Sequence, residues 1–273
     1  MKKEKFRLRA LWAQISEDKR AFTVYIILHT AVLAILVRSL FLRRFENAFT
    51  AVLALLLLLI PPIVEKSLSL KLPTTLEILA YVFVFSAEIL GEIGNFYVQF
   101  RFWDTMLHTV NGFMFAAFGF CLVDILNKSG KFRLALSPAF LALVAFCFSM
   151  TIGTMWEFFE FGADNILGTD MQKDRFIMEI NTVSLPNEEG EKVTHVTGIE
   201  EGIIVTKDGE VIRTEGYLDV GLYDTMKDLF VNLIGAAVFS IIGYFYVKHR
   251  GKGRIANRFI PVFVGEESPP STD

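Results

Sequence analysis

The chain has 273 residues, 53% of them hydrophobic and 21% charged, with a formal net charge of −3 and a mean hydropathy of +0.45. Soluble domains average about 45–50% apolar and about 25% charged, and here the excess is gathered into long apolar blocks separated by short basic ones. That pattern excludes a disordered chain and a disulfide-stapled secreted domain and argues against an ordinary soluble enzyme. The total of 27 Lys+Arg against 30 Asp+Glu leaves no nucleic-acid footprint.

Residues 1–20 alternate Lys and Arg with Phe6, Leu8, Leu11, Trp12 and Ile15. The pattern fits a basic amphipathic segment lying on an anionic membrane face, or a plain basic tail. No small-residue cleavage pattern follows, so the next block is read as a span, not a signal peptide. A helical span needs about 20 mostly apolar residues. Ala21 to Leu40 qualifies, as does Ala48 to Val64, where Pro61-Pro62 is expected to stop the helix. Leu76 to Tyr97 carries Glu88 and Glu92, and Thr105 to Leu126 carries His108 and Asp124. Leu134 to Phe161 ends in Trp156-Glu157-Phe158-Phe159-Glu160, and Leu229 to Val247 closes the series.

The expected fold is therefore an all-α polytopic membrane protein of six transmembrane helices. A small β-rich extracytoplasmic insert stands between helices 5 and 6. The expected organisation is a basic segment at 1–20, helices 1–5 over 21–160, the insert at 161–227, helix 6 at 228–248 and a tail at 249–273. Short loops and tails on one side of this topology hold 17 Lys and Arg, and those on the other hold 4 (Arg38, Arg43, Arg44, Arg101). The positive-inside rule then places both termini in the cytoplasm, in a bacterial cytoplasmic membrane setting.

The insert carries 14 acidic and 6 basic residues. Ile203-Ile204-Val205-Thr206 and Val211-Ile212-Arg213-Thr214 flank Lys207-Asp208-Gly209-Glu210, and Asp-Gly between such runs signals a hairpin. Val193 to Val196 and Ile180 to Leu185 could add strands, giving a β unit at about 176–217 that caps the outer face and offers a surface to a protein partner. Cys121 and Cys147 fall inside spans and read as buried apolar residues. His29 stands alone in its span and reads as structural. Trp103, Trp156 and Tyr223 suit an outer aromatic belt.

Charged groups inside spans are costly, about 2.5–3.5 kcal/mol each at a helix centre. Here they gather. In this topology Glu88, Glu92, Asp104, His108, Glu157, Glu160, Asp164, Asp224 and Asp228 all fall at one depth, on the outer side. Glu88/Glu92, Asp104/His108, Glu160/Asp164 and Asp224/Asp228 are i,i+4 pairs and Glu157/Glu160 is i,i+3, so each pair shares one helix face. Trp103-Asp104-Thr105-Met106 recurs as Tyr223-Asp224-Thr225-Met226, followed by Asn111-Gly112 in one copy and by Asn232 and Gly235 in the other. Two related helical hairpins facing each other would deliver these groups into one outward-facing pocket. The set is oxygen-rich with one imidazole, which suits a hard divalent cation such as Mg²⁺, Mn²⁺ or Ca²⁺ better than zinc. Asp170, Asp174, Asn111 and Asn232 are outer-shell candidates.

At these residues the chain resembles the YjdF-like family of bacterial integral membrane proteins. The resemblance runs through Gly91-Glu92 to His108, Trp156 to Asp164, Gly168 to Asp174 and Tyr223 to Gly235. The last helix, Asp228 to Gly235 preceded by Asp224, is similar over a shorter stretch to VanZ-like membrane proteins. The resemblance implies a bacterial membrane protein and brings no settled reaction. Three functional classes therefore stand. One is an enzyme of the outer leaflet acting on a lipid or cell-envelope substrate. The second is a small transporter or ion-coupled carrier. The third is a non-enzymatic envelope-stress or partner-binding protein.

Overall fold

The computed structural model describes residues 18–68, 70–128, 136–185, 192–249, 258–260 and 262–263. The basic segment at 1–17 and most of the tail at 249–273 lie outside the described residues. The protein is mostly helical, and among the described residues five helical stretches are long and apolar enough to cross a membrane: Lys19–Phe41, Phe45–Ser67, Trp103–Asp124, Pro138–Leu167 and Leu222–Lys248. The chain divides into two compact units, one of Met1–Gly153 with Phe230–Asp273 and the other of Thr154–Leu229.

The first unit opens with α1 (Lys19–Phe41). Asp18 starts it as an N-cap, its carboxylate accepting from the amides of Arg20 (2.8 Å) and Ala21 (3.3 Å) and from the Thr74 hydroxyl. That hydroxyl holds the Asp18 carboxyl below its ordinary range. After a left-handed Arg43 (φ 54°) come α2 (Phe45–Leu57) and α3 (Ile60–Leu68). Helix α2 ends just before Pro61-Pro62, as the sequence suggested, because Pro61 has no N–H to give the Leu57 carbonyl, but a second helix begins at once. The two prolines sit in the first turn of α3, where their missing N–H groups have no intrahelical partner to lose.

The third apolar block is built in three pieces: α4 (Thr74–Val84), a π-helix (Phe85–Ile93) and α5 (Phe96–Gln99). Gly94 N donates to Ile89 O at 2.8 Å across the wide π turn, and Asn95 then turns left-handed at φ 57°, a conformation Asn tolerates. Tyr25, Val32, Ala51, Ala54, Leu58, Tyr81 and Ile89 form the core that joins this block to α1 and α2. The side chains that face outward are apolar as well, including Ile27 and Val37 on α1 and Phe49 and Val52 on α2.

The rest of the first unit is α6 (Trp103–Lys128) together with the parts of α7 (Pro138–Leu167) and α8 (Leu222–Lys248) that belong to it. Ser137 starts α7, its hydroxyl accepting from Phe140 N at 3.2 Å with Pro138 next in line. Helices α6 and α8 meet at two glycines. A Cβ on Gly112 would strike the Asn232 carbonyl, and one on Gly235 would strike the Thr109 carbonyl. From there the contacts step down both helices together, Phe113 against Phe239 and Phe120 against Phe239 and Tyr246, so the two run parallel. Ser149 of α7 donates to Gly112 O at 2.7 Å. Ala116, Ala117, Phe120, Leu141, Ala145, Ala236, Phe239 and Ile260 form the core below.

Cys121 is buried, as expected, but Cys147 is exposed. It lies on the outward side of α7 with Leu143, where an apolar thiol needs no cover in a lipid-facing setting. The tail also returns to the body. Its strand β8 (Val262–Phe263) pairs antiparallel with β1 (Leu70–Lys71), and Ile260 is buried.

The second unit holds the last turns of α7, six strands and the first turns of α8. The hairpin at Asp208-Gly209 forms as read: β5 (Gly202–Val205) pairs with β6 (Val211–Thr214), with Gly209 at φ 81°. The two further strand candidates pair with each other, as β3 (Glu179–Thr182) and β4 (Thr194–Thr197). One pair was not anticipated, β2 (Arg175–Ile177) with β7 (Tyr217–Asp219), whose three-residue strands are too short to show alternation. Helix extends further into the acidic stretch than hydropathy indicated, to Leu167 at one end and from Leu222 at the other.

Gly112→Val and Gly235→Val should each destabilise the purified protein by about 1–3 kcal/mol, because overpacking forces the helices apart. Gly162, in α7 with nothing near its Cβ position, is the control: Gly162→Ala should be neutral or gain up to about 1 kcal/mol from helix propensity. Thermal melts in detergent read the difference, and equal melting for all three would contradict the close approach.

Candidate functional site

In the first unit the structure joins Asp104 and His108. They sit one turn apart at the head of α6, with Asp104 Oδ1 3.4 Å from His108 Nε2. His108 is buried, and Glu88, on the π-helix, is 4% exposed. The two elements are tied by Trp103, whose indole N–H donates to Ser86 O at 3.3 Å. Glu92 follows Glu88 by four residues, close to one turn of the wider π-helix. π-Segments are rare and recur at functional sites, and this one lies under a buried carboxylate.

Asn111 and Asn232, the outer-shell candidates of the helices, bond each other across the crossing. Asn111 Nδ2 donates to Asn232 Oδ1 at 3.1 Å, and Asn232 Nδ2 approaches Met150 Sδ at 3.5 Å. Asn232 is fully buried and lies against Gly153 as well. The pair clamps the helix crossing.

In the second unit the acidic residues divide by role. Asp164 organises the loop that follows α7. Its Oδ1 accepts from the Thr169 hydroxyl (2.8 Å) and Met171 N (2.6 Å), and its Oδ2 from Gln172 N (2.8 Å). Asp224 Oδ2 accepts from Lys173 N at 2.9 Å, and Asp219 Oδ2 caps α8 by accepting from Tyr223 N at 2.9 Å. Lys227 lies 3.4 Å from Asp224 and 3.2 Å from Asp228. Glu160 Oε1 accepts from the Trp156 indole at 2.9 Å. Glu157, Glu160 and Asp228 are buried, at 3%, 9% and 1% exposure. Asp174 is exposed, and loss of water together with Asp170, Asp164 and Asp219 raises its carboxyl above the ordinary range. Asp170 gives its backbone carbonyl to Lys173 Nζ.

The sequence reading missed a second buried acidic group in the first unit. Glu65 accepts from Leu72 N at 2.7 Å, and Tyr81 donates to Glu77 Oε1 at 2.8 Å. Both acids are under a tenth exposed. The Glu77/Tyr81 spacing of four was the available signal. Glu65 gave none, because its partner is a backbone amide seven residues away.

A family model described as a predicted membrane protein (DUF2238) matches residues 24–249. An uncharacterized protein of Thermotoga maritima is 31% identical over 107 residues, which is 39% of this chain and 53% of that protein. The chain thus spans about half the length of the curated relative it matches. No solved structure matches.

Removing the Asp164 carboxylate takes away three hydrogen bonds to a charged group, each worth about 1.5–3 kcal/mol at most. Asp164→Ala should therefore free the 168–172 loop. Hydrogen exchange at the Met171 and Gln172 amides should speed up at least tenfold, and unchanged exchange would show that the loop is held by other means.

Proposed function

Because the chain belongs to the DUF2238 family of predicted membrane proteins, the YjdF-like family its motifs resemble, we propose that it is a six-span protein of the bacterial cytoplasmic membrane with both termini inside. In this reading the block made of α4, the π-helix and α5 crosses alongside the five longer helices, and the strand-bearing segment stands outside. The parallel run of α6 and α8 fits α6, α7 and α8 as three successive spans, since helices separated by one intervening span must cross in the same direction. The topology has a direct test. In a cysteine-free background, Lys207→Cys should react with a membrane-impermeant maleimide in intact cells, and Arg258→Cys only after permeabilisation. The opposite pattern overturns the orientation.

We further propose that Asp104 and His108, on the helix head beside the π-segment that carries Glu88 and Glu92, help hold a hard divalent cation at the outer membrane face. The supporting observation is the 3.4 Å pairing of Asp104 with His108 at a helix head that Trp103 ties to the π-segment. Carboxylate oxygens and one imidazole suit Mg²⁺ or Mn²⁺. A cation there would supply Lewis-acid chemistry, activating water against a phosphate or ester of an outer-leaflet lipid or envelope precursor. Asp104 would also orient the imidazole.

The purified wild-type protein should carry close to one equivalent of divalent metal by elemental analysis. Asp104→Ala and His108→Ala should each lose at least nine-tenths of it with unchanged helical circular dichroism. Full metal retention in both variants overturns the assignment, as does a metal-free wild type that complements a deletion strain.

A further inference from the structure

The basic residues at the start of α1 converge with the start of α4. A cavity of about 580 Å³ opens there, walled by Asp18, Lys19, Arg20, Lys71, Thr74 and Thr75. That size falls within the range of about 300–1,000 Å³ typical of small-molecule sites. Three cations face one carboxylate across it, and that carboxylate is already engaged. Asp18 accepts from the amides of Arg20 and Ala21 and from the Thr74 hydroxyl, which also keeps it ionised. The residues that line the cavity thus carry three positive charges to one negative, together with two hydroxyl groups. The acids behind it, Glu65 and Glu77, are buried and accept from Leu72 N and the Tyr81 hydroxyl.

The backbone adds to the excess. Helix α4 begins at Thr74 behind Pro73, which supplies no side-chain cap. The amides of its first turn and the positive end of its dipole are thus directed at this end of the helix, a favourable place for an anion. Ile78 gives the cavity one apolar edge. The cavity lies at the end of α1, a helix long and apolar enough to cross the membrane, which is the depth of lipid phosphates.

We propose that this cavity binds the phosphodiester of an anionic phospholipid headgroup. Lys19, Arg20 and Lys71 neutralise the phosphate, Thr74 and Thr75 lie beside it, and Ile78 borders the start of the acyl region. The cations lie on the side whose loops carry most of the Lys and Arg, where basic pockets between spans take up such headgroups. Free inorganic phosphate has the same anionic chemistry, but it would gain nothing from the apolar edge or from the cavity's depth. The site is separate from the proposed cation site and does not depend on it.

The test uses the full-length protein in detergent, with phosphatidylglycerol as probe and phosphatidylcholine as the neutral comparison, read by native mass spectrometry. The wild type should retain phosphatidylglycerol at least tenfold over phosphatidylcholine. The double variant Arg20→Gln/Lys71→Gln should lose that preference, and Lys71→Arg alone should keep it. Both basic residues are exposed, so folding is expected to survive, and a matching thermal melt confirms it. Millimolar inorganic phosphate should leave the bound lipid in place. Equal retention of both lipids by the wild type, or undiminished preference in the double variant, overturns the proposal. Displacement of the lipid by inorganic phosphate identifies free phosphate as the ligand and overturns it also.

Discussion

The close approach of α6 and α8 at Gly112 and Gly235 is the contact on which the helical bundle depends. In a bilayer, lipid tails are as apolar as leucine, so bringing two apolar helices together yields little hydrophobic gain. What remains is close packing and interhelical hydrogen bonding. Both meet at this crossing. The glycines let each backbone settle onto the other's carbonyl, the Asn111–Asn232 hydrogen bond crosses beside them, and Ser149 brings in α7. Below it the phenylalanine contacts and the alanines of the core follow in register. The same crossing sets the position of the candidate chemistry, because His108 and Asp104 lie one and two turns up α6 from Asn111.

Several polar residues of the apolar blocks are spent on local structure, and others are candidates for a site. Asn111, Asn232 and Ser149 satisfy one another or a backbone carbonyl and specify how helices meet. Asp164, Asp219 and Asp224 accept from backbone amides and shape the loop and the helix start around them. Buried hydrogen bonds of this sort repay their desolvation locally. Glu88 and the Asp104–His108 pair are of the other kind. They carry ionisable groups at low exposure beside a helix of unusual geometry, which makes them candidates for a site.

Much of the architecture was legible because hydropathy is a strong signal. The helices from Lys19, Trp103, Pro138 and Leu222 follow the apolar blocks, and the Asp208-Gly209 hairpin follows its turn residues. What escaped did so for identifiable reasons. Pro61-Pro62 reads as a stop and α2 does end before it, but proline is also compatible with a helix's first turn, and only the backbone shows that a new helix begins there. Cys147 reads as core because apolar residues are assumed to face inward, and a bilayer removes that assumption. The β2–β7 and β1–β8 pairs join segments far apart in sequence through strands of two or three residues. At the candidate site the i,i+4 spacing correctly paired Asp104 with His108. Spacing could not show that Asn111 and Asn232 bond each other, nor that Asp164 is occupied by a loop.

The third apolar block shows why composition and geometry part company where function is expected. It is hydrophobic enough to resemble a span, yet the backbone breaks it into an α-helix, a π-helix and a short final turn. Its surroundings explain how this is tolerated. Tyr81 is fully buried and Ile89 nearly so, in a core shared with α1 and α2. The same holds for α6, where 56% of the apolar window is buried against 17% for α1. Elements lined by protein are released from the demand for an unbroken apolar helix that lipid imposes on outer ones, since irregular backbone at membrane depth is tolerated where protein covers it. The carboxylates Glu77 and Glu88, the π-segment and the Asp104–His108 pair all lie on these two inner elements. That cover is what lets an irregular backbone and buried carboxylates share these two elements.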